Sequence, residues 1–321
     1  MAPSLGARAV HSLTVLFSVA IPCFNRHPFL LQALASVWSQ TFSDYELIVI
    51  DDGSTDGTQE YLSSVTRPIH LIRQANLGPG AARNAGMAAA RGEYVAFLDS
   101  DDLWFPWTLA VMAQVIREND APAIVGARVK QFRDEAETVG ILEEPLQVLR
   151  YNDFLASAAS PVLIGSGTVA VRRDVAMASG GFTTCRINGE DHDLILRLGT
   201  APGFVLITAP ITLGWRRHAG GATHSVEKSI QGANYLVDQE RAGRYPGGRE
   251  RARERLDFIT RHARPVSFAC LRSNEVRAGL HLYGAMLLWH MRLGRWAYLL
   301  AFPFSALRWA AARATAGRRL S

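Results

Sequence analysis

The sequence predicts an α/β protein with a mixed, mainly parallel sheet, followed by a helical C-terminal segment. Short β-rich runs alternate with helical patterns through the first half of the chain, as in parallel sheets. Polar residues stand directly after several of these runs, and an arginine-rich tail follows an Arg-Tyr-Pro-Gly-Gly break at residues 244–248. We therefore expect a main domain over residues 1–235 and an arginine-rich helical region over residues 236–321.

The expected elements follow one another along the chain. β-Branched and aromatic runs between turn signals predict four strands, at residues 15–21, 46–50, 69–72 and 94–98. Helical patterns of two turns or more separate these strands, at residues 29–40, 57–64 and 80–91. Further strands are predicted at residues 123–129, 168–171 and 204–207, and a helix after residue 190. The weak periodicity of residues 132–163 suggests short helices over a cleft.

Composition limits the class of protein. With 321 residues, 48% hydrophobic and 20% charged, the chain is an ordinary globular protein and neither a disordered tail nor a fibrous repeat. Cys23, Cys185 and Cys270 lie far apart without a CxxC spacing, which argues against a disulfide framework or a thiolate metal site. The first apolar run resembles a core strand rather than an export leader. These features predict a cytoplasmic protein.

The net charge of +5 is unevenly distributed. Residues 241–321 hold sixteen arginines and no lysine against four acidic residues, a net +12, whereas the other 240 residues carry 18 basic and 25 acidic side chains, a net −7. Such a tail suits an anionic surface, either nucleic acid or phospholipid headgroups. The simpler alternative is a solvated helical tail in a chain that uses arginine in place of lysine, since only two lysines occur.

Two uncharged, aromatic-containing stretches in the tail favour lipid over nucleic acid. Residues 278–291 and 296–307 are bracketed by arginines, and each is shorter than the roughly 20 apolar residues needed to cross a bilayer. They are typical of interfacial helices on an anionic membrane surface. A helical cap packed on the main domain explains them as well. We therefore predict either a peripheral protein on the inner face of the plasma membrane or a capped domain, with no nucleic-acid partner.

Polar residues follow all four of the first predicted strands. In an open α/β sheet, ligands bind beyond the carboxyl ends of the strands. Any single loop of this kind could be ordinary turn or capping chemistry, but four at one edge predict a binding site. The loops are residues 22–25 (PCFN), 51–54 (DDGS), 76–78 (NLG) and 99–102 (DSDD).

Three carboxylates after the fourth strand suggest a metal site. Asp99, Asp101 and Asp102 would repel one another without a cation, and Mg²⁺ or Mn²⁺ takes oxygen ligands shared with substrate phosphates. The alternative is an N-cap cluster. Asp52 offers an acceptor for a uracil or guanine N–H, and Arg83 offers a cation beside a diphosphate.

The turn before Arg83 partly imitates a dinucleotide fingerprint. Gly78 and Gly80 follow a predicted strand, with Asp99 nineteen residues further on, but Arg83 stands where the third glycine belongs. A dinucleotide site would also leave Asp101 and Asp102 without a role. An oxidoreductase is therefore disfavoured.

Two later polar clusters complete the candidate site. Glu190 and Asp191 open the predicted helix in the segment NGEDHD, where capping accounts for one acid but not for all of them. Trp215 begins the segment WRRH, and its His218 is followed by glycines. An isolated histidine is more often structural, but these neighbours suit an anion and metal pocket.

Taken in order, several segments strongly resemble family 2 glycosyltransferases of the glycosyltransferase-A fold. They are IPCFN, SVWSQTFSDYELIVIDDGSTDGT, ANLGPGAARNAG, GEYVAFLDSDD, GGF, GEDHDL and WRRH, across residues 14–225. The resemblance implies a Rossmann-like catalytic domain over residues 1–235, a nucleotide-diphosphate-sugar donor, Mn²⁺ or Mg²⁺, and inversion at the anomeric carbon. A tryptophan-terminated QxxRW block is missing after the second cluster, so we expect transfer of one sugar rather than polymer synthesis.

The same resemblance assigns roles to residues. The nucleotide-sugar would contact Pro22, Asn25, Asp52, Arg83, Asp99 and Ser100. The metal would be held by Asp99, Asp101 and His218, and the catalytic base would be Asp191. Secondary or acceptor-side residues would be Asp102, Glu190 and Trp215.

Asp52 favours a UDP- or dTDP-sugar donor without excluding guanosine. The arginine-rich tail favours a carbohydrate or lipid-linked acceptor on the cytoplasmic face, as in cell-envelope polysaccharide or glycolipid synthesis. Two other functions stay open: a non-catalytic nucleotide-sugar binding module and a sugar nucleotidyltransferase. The second would usually need a glycine-rich basic loop after the first strand, where this chain has IPCFN.

Overall fold

The computed structural model describes residues 15–160, 164–218 and 225–317, with side chains up to residue 309. Four parts of the sequence predictions lie outside these ranges. They are the N-terminal residues 1–14, the end of the weakly periodic segment at residues 161–163, the glycines that follow His218, and the last residues of the arginine-rich region, 318–321.

The described residues contain eleven strands. They are β1 (Phe17–Cys23), β2 (Tyr45–Asp51), β3 (His70–Arg73), β4 (Tyr94–Phe97), β5 (Leu103–Trp104), β6 (Ile124–Ala127), β7 (Val129–Phe132), β8 (Gln147–Tyr151), β9 (Val169–Arg172), β10 (Phe204–Ala209) and β11 (Leu213–Arg216). Eight form the main sheet in the order β3-β2-β1-β4-β9-β6-β10-β8, and β5-β11-β7 form a small second sheet.

The main sheet is mixed and mainly parallel, as predicted. β1 pairs in parallel with β2 and β4, β2 with β3, and β6 with β10. β9 lies antiparallel between β4 and β6, and β8 lies antiparallel beside β10. Because β1, β2 and β4 run in the same direction, the loops that follow them meet at one edge of the sheet.

Eleven helices surround the sheets in the described part of the chain. They are α1 (His27–Trp38), α2 (Thr58–Ser64), α3 (Pro79–Ala89), α4 (Thr108–Glu118), α5 (Arg173–Ala178), α6 (Glu190–Arg197), α7 (Val226–Arg241), α8 (Ala252–Arg272), α9 (Val276–Ala285), α10 (Leu287–Arg292) and α11 (Trp296–Gly317). The three predicted crossover helices correspond to α1, α2 and α3.

The buried side chains form a core on each side of the main sheet. Along β1, Val19 and Ile21 pack with α1 and α4, whereas Ala20 faces the opposite cluster. That second cluster also takes in Leu236 of α7 and Ile259 of α8. The C-terminal helices therefore pack on the sheet domain and share its core.

The structure corrects two details of the predicted order of elements. The single strand predicted at residues 123–129 is two strands, because β6 and β7 belong to different sheets. The segment 132–163 contains short 3-10 turns at Glu135–Thr138 and Leu155–Ser157, but also the strand β8.

The C-terminal region is helical, as expected. The proposed division after residue 235 falls inside α7. In the portion of the chain that the structure describes, none of the helices has the length and apolar character needed to span a bilayer. Cys23, Cys185 and Cys270 are all free thiols.

Candidate active site

Two adjoining cavities open at the edge of the sheet where the predicted polar loops meet. The larger has a volume of about 740 Å³ and the smaller about 230 Å³. The predicted residues on the larger cavity are Pro22, Asp52, Arg83, Asp99, Ser100, Asp101, Glu190 and Asp191. Those on the smaller are Asp99, Asp101, Asp102, Asp191, Trp215 and His218. Asp99, Asp101 and Asp191 line both, so they stand where the cavities meet.

Asn25 is the one predicted site residue that lines neither cavity. Its backbone is in the left-handed region, with φ of 51°. Its Oδ1 accepts from Thr55 N at 2.7 Å, and its own N–H donates to Ser54 Oγ at 3.0 Å. Asn25 therefore joins the loops after β1 and β2, while Pro22 beside it faces the larger cavity.

Asp52 is buried and organises the loop before α3. Its Oδ1 accepts from Gln74 Nε2 at 2.7 Å and from Leu77 N at 2.9 Å, and its Oδ2 accepts from Gly78 N at 2.8 Å. A carboxylate has about four acceptor positions, so one on Oδ2 remains. The predicted contact with a nucleotide base stays a prediction, and Asp52 has a loop-forming role that the sequence did not indicate.

Arg83 ties the end of β4 to the start of α6. Its Nη2 donates to Asp99 Oδ1 and its Nη1 donates to Glu190 Oε1, both at 2.6 Å. Glu190 Oε2 also accepts from Gly189 N. Burial raises the pKa of Glu190, and the charge of Asp191 raises it further against the opposing effect of Arg83.

Asp101 and His218 provide a pair of potential metal ligands. Asp101 Oδ2 lies 2.9 Å from His218 Nε2 and 3.6 Å from Arg26 Nε. Phe29 packs on the histidine ring, with centroids 4.7 Å apart. An oxygen and a nitrogen ligand suit a hard divalent cation that completes its shell with water and substrate phosphates.

Asp102 joins the acidic turn to the second sheet. Its Oδ1 accepts from Arg216 N at 2.8 Å. Burial raises the pKa of Asp102 well above its ordinary value, and the charges of Asp99 and Asp101 add to that rise. Asp102 therefore belongs to a cluster of three acids, and Asp99, Asp101 and His218 stay the predicted cation ligands. Among the described residues no three acidic, histidine or cysteine side chains form a group that could hold a metal ion, so a cation at Asp99, Asp101 and His218 would also need ligands from water or the donor phosphates.

Asp191 begins the first turn of α6 at the junction of the cavities. Its Oδ1 accepts from the backbone N and from Nδ1 of His192, both at 2.8 Å, and its Oδ2 accepts from Ser166 N at 3.1 Å. Burial by itself raises the pKa of a carboxyl group, but the positive charge and hydrogen bonds of His192 prevail and hold the pKa of Asp191 below its usual range. Asp191 is therefore ionised at neutral pH.

The sequence did not predict the contribution of α8 to this site. Phe258, His262 and Val266 line the larger cavity, about seventy residues beyond Asp191. The His262 ring lies against that of His192, with centroids 4.2 Å apart. No motif marks α8. Ser166 was also missed, although its place between two glycines just before a predicted strand was a usable signal.

Comparison with known proteins identifies the family. The model of the family described as Glycosyl transferase family 2 matches residues 18–178, half of the chain. The chain belongs to this family. Succinoglycan biosynthesis protein ExoW of Rhizobium meliloti is 41% identical over 111 residues, which are 32% of this chain and 35% of that protein. The chain spans only 15–35% of the length of several other curated relatives.

Solved structures confirm the predicted glycosyltransferase-A fold. TarS 1-349 of S. aureus, crystallised with UDP-GlcNAc, has a TM-score of 0.59 at 20% identity and matches 77% of this chain and 72% of that one. The mannosyltransferase PcManGT of Pyrobaculum calidifontis, in complex with GDP-Man and Mn²⁺, has a TM-score of 0.52 at 20% identity and matches 91% and 87%. These likenesses establish the fold.

Proposed function

We propose that this family 2 protein is a metal-dependent inverting glycosyltransferase that moves one sugar from a nucleotide-diphosphate-sugar to an acceptor hydroxyl. One observation carries the proposal: Asp99, Asp101 and Asp191 line both cavities. A donor in the larger cavity and an acceptor in the smaller would meet at these side chains. Metal ligands and a proton acceptor are both needed at that point for sugar transfer.

The larger cavity is the proposed donor site. Its volume of about 740 Å³ is in the range of small-molecule sites, roughly 300–1,000 Å³. Pro22 and Asp52 would contact the base, with Asp52 Oδ2 accepting the N3–H of uracil or thymine. Arg83 and Ser100 would lie near the diphosphate. A UDP- or dTDP-sugar is favoured, although PcManGT was solved with GDP-Man.

The reaction is an in-line displacement at the anomeric carbon. The acceptor oxygen bonds to that carbon while the bond to the diphosphate oxygen breaks on the opposite face. The hydroxyl proton passes to the protein at the position of Asp191. A divalent cation held by Asp99, Asp101 and His218 would offset the charge of the leaving diphosphate. Asp102, Glu190 and Trp215 would act secondarily: Asp102 through Arg216, Glu190 through Arg83, and Trp215 from the acceptor cavity.

A donor panel tests this function. Purified protein is supplied with UDP-, dTDP- and GDP-sugars and Mn²⁺, and both nucleoside diphosphate and sugar transfer to a carbohydrate or lipid-linked acceptor are measured. We expect release of nucleoside diphosphate with one donor. We also expect slower release by Asp101→Asn when Mn²⁺ is limiting. Binding without product would instead indicate a non-catalytic module. Pyrophosphate release from a nucleoside triphosphate and a sugar phosphate would indicate a nucleotidyltransferase.

We also propose that the catalytic side chains lie within residues 1–235, with α8 completing the wall of the donor cavity, and that residues 236–321 also bind an anionic membrane surface from the cytoplasmic side. On α11, Leu300 and Phe304 stand one helical turn apart and are 65% and 68% exposed. Trp296 and Leu307 extend this stripe on the same face. Apolar side chains flanked by arginines suit an interface of lipid headgroups. A role in envelope polysaccharide or glycolipid synthesis is in keeping with such a location.

Vesicle binding tests the membrane proposal. Sedimentation with anionic phosphatidylglycerol vesicles should fall strongly for the double variant Leu300→Glu, Phe304→Glu, because two exposed apolar side chains that would enter the membrane are lost and negative charge is added. The matched control is Leu142→Glu, since Leu142 is 74% exposed in the main domain and should bind as the wild type does. Equal sedimentation of all three proteins would contradict the proposal.

A further inference from the structure

His192 holds a position beside Asp191 that resembles a catalytic pair. The His192 Nδ1 atom lies 2.8 Å from Asp191 Oδ1, and the backbone N–H of the histidine donates to the same oxygen. The other oxygen of Asp191 accepts from Ser166 N. Three protein donors therefore engage the two oxygens of the proposed base and leave one acceptor position, on Oδ2, for a substrate proton.

The remaining ring nitrogen of His192 is better placed for that proton. Its Nε2 makes no hydrogen bond to any described residue, and the side chain is 31% exposed. His192 lines both cavities, at the same junction as Asp191. A carboxylate on Nδ1 fixes the tautomer that leaves Nε2 as an acceptor, and it stabilises the imidazolium that forms.

We propose that Asp191 and His192 act as a dyad in which His192 Nε2 takes the proton of the acceptor hydroxyl and Asp191 orients the ring. This inference rests on the proposed transferase function. The O–H bond breaks as its proton moves to Nε2, the oxygen bonds to the anomeric carbon, and the electron pair of the breaking sugar–phosphate bond leaves with the diphosphate. The imidazolium then releases its proton to water.

The groups around His192 support this role. Asp191 and Glu190 face it from α6 as negative charges, and His262 faces it from α8. Lys228, Arg83 and Arg261 line the same larger cavity from α7, α3 and α8. Burial alone lowers the pKa of His192, but the charges of Asp191 and Glu190 prevail and raise it. Burial and the charge of His192 lower the pKa of His262 to about 3, so His262 stays neutral.

The dyad and a lone Asp191 base predict different pH dependences. If His192 takes the proton, it must be neutral, so turnover falls as the pH drops through a pKa above the ordinary value of about 6.5. If Asp191 takes the proton, turnover stays level down to far lower pH, because its pKa is depressed. A fall in wild-type turnover that begins above pH 6.5 and is absent from the His192 variants supports the dyad. A wild-type turnover that stays level across this range overturns it.

Three variants separate proton transfer from positioning. In His192→Asn the amide can still donate to Asp191 but no longer offers the second ring nitrogen. We expect His192→Asn and His192→Ala to lose turnover by about 10²- to 10⁴-fold, with donor binding retained. Added imidazole should partly restore His192→Ala and not Asp191→Asn. The control is His281→Ala, on the exposed surface of α9, which should turn over normally.

The outcomes distinguish this inference from the proposed function. Near-normal turnover by His192→Asn, or a loss in His192→Ala that imidazole cannot restore, overturns the dyad while wild-type transfer upholds the transferase. Absence of transfer by the wild type with every donor overturns both.

Discussion

Replacing Arg83 by methionine should destabilise the fold strongly, because it leaves a buried acid without its partner. The Arg83 side chain is 5% exposed and that of Glu190 is 10% exposed, with a contact of 2.6 Å between them. Removing one member of a buried ion pair costs about 3–5 kcal/mol. Asp99 is 34% exposed, so water can solvate it and its lost contact adds about 0–1 kcal/mol. We expect a total loss of about 3–6 kcal/mol.

The assay is urea unfolding of four proteins: wild type, Arg83→Met, Glu190→Gln and the double variant. The double variant should regain much of the loss, because a neutral amide is easier to bury than an unpaired carboxylate. Burial already raises the pKa of Glu190, and a raised acid pKa favours the folded state at low pH. The deficit of Arg83→Met should therefore shrink on acidification from pH 7 to 5. A deficit below about 1 kcal/mol, or no recovery in the double variant, would refute this reasoning.

Two further variants test other contacts. Gly232→Ala should lower the free energy of unfolding by about 1–3 kcal/mol, because its new methyl carbon would lie 1.7 Å from Asn188 O. The control is Gly284→Ala, whose methyl carbon meets nothing within 4 Å and which should raise the free energy of unfolding by up to about 1 kcal/mol. Equal melting temperatures of these two variants would contradict this. Arg251→Leu removes two 2.7 Å hydrogen bonds to Asp153 and should cost roughly 1.5–3 kcal/mol at pH 7. Arg251 lowers the pKa of Asp153, so the stability lost in Arg251→Leu should become smaller below about pH 4, where Asp153 is protonated. A loss of the same size at every pH would contradict this.

Much of the sheet could be predicted because its strands carry local signals. β1, β2 and β4 are apolar runs ended by polar loops, so their residues and their shared edge follow from the sequence. The split between β6 and β7 could not be predicted, because one continuous run enters two sheets and only tertiary pairing separates them. The same holds for β9, whose antiparallel direction depends on its neighbours β4 and β6.

The candidate site shows the same division between local and distant information. Residue types at the end of the fourth strand predicted Asp99 and Asp101, and an acidic cluster at the start of a helix predicted Asp191. The structure brings all three to the junction of the two cavities. Sequence could not reveal that Arg83 joins the acidic turn to α6, since its partner Glu190 lies 107 positions further on. A carboxylate in a motif indicates chemistry, but which lone pairs are already occupied depends on folding.

The wall that α8 contributes to the larger cavity has a practical consequence for the boundary proposed after residue 235. A chain shortened there loses Ile259 and Val266 from the central packing, and it loses His262 from beside the proposed base. Exchanging only this helix between related enzymes should alter which donor sugars the larger cavity accommodates, while the loops that follow the strands stay untouched. A segment that no signature motif marks would then share in the choice of the donor.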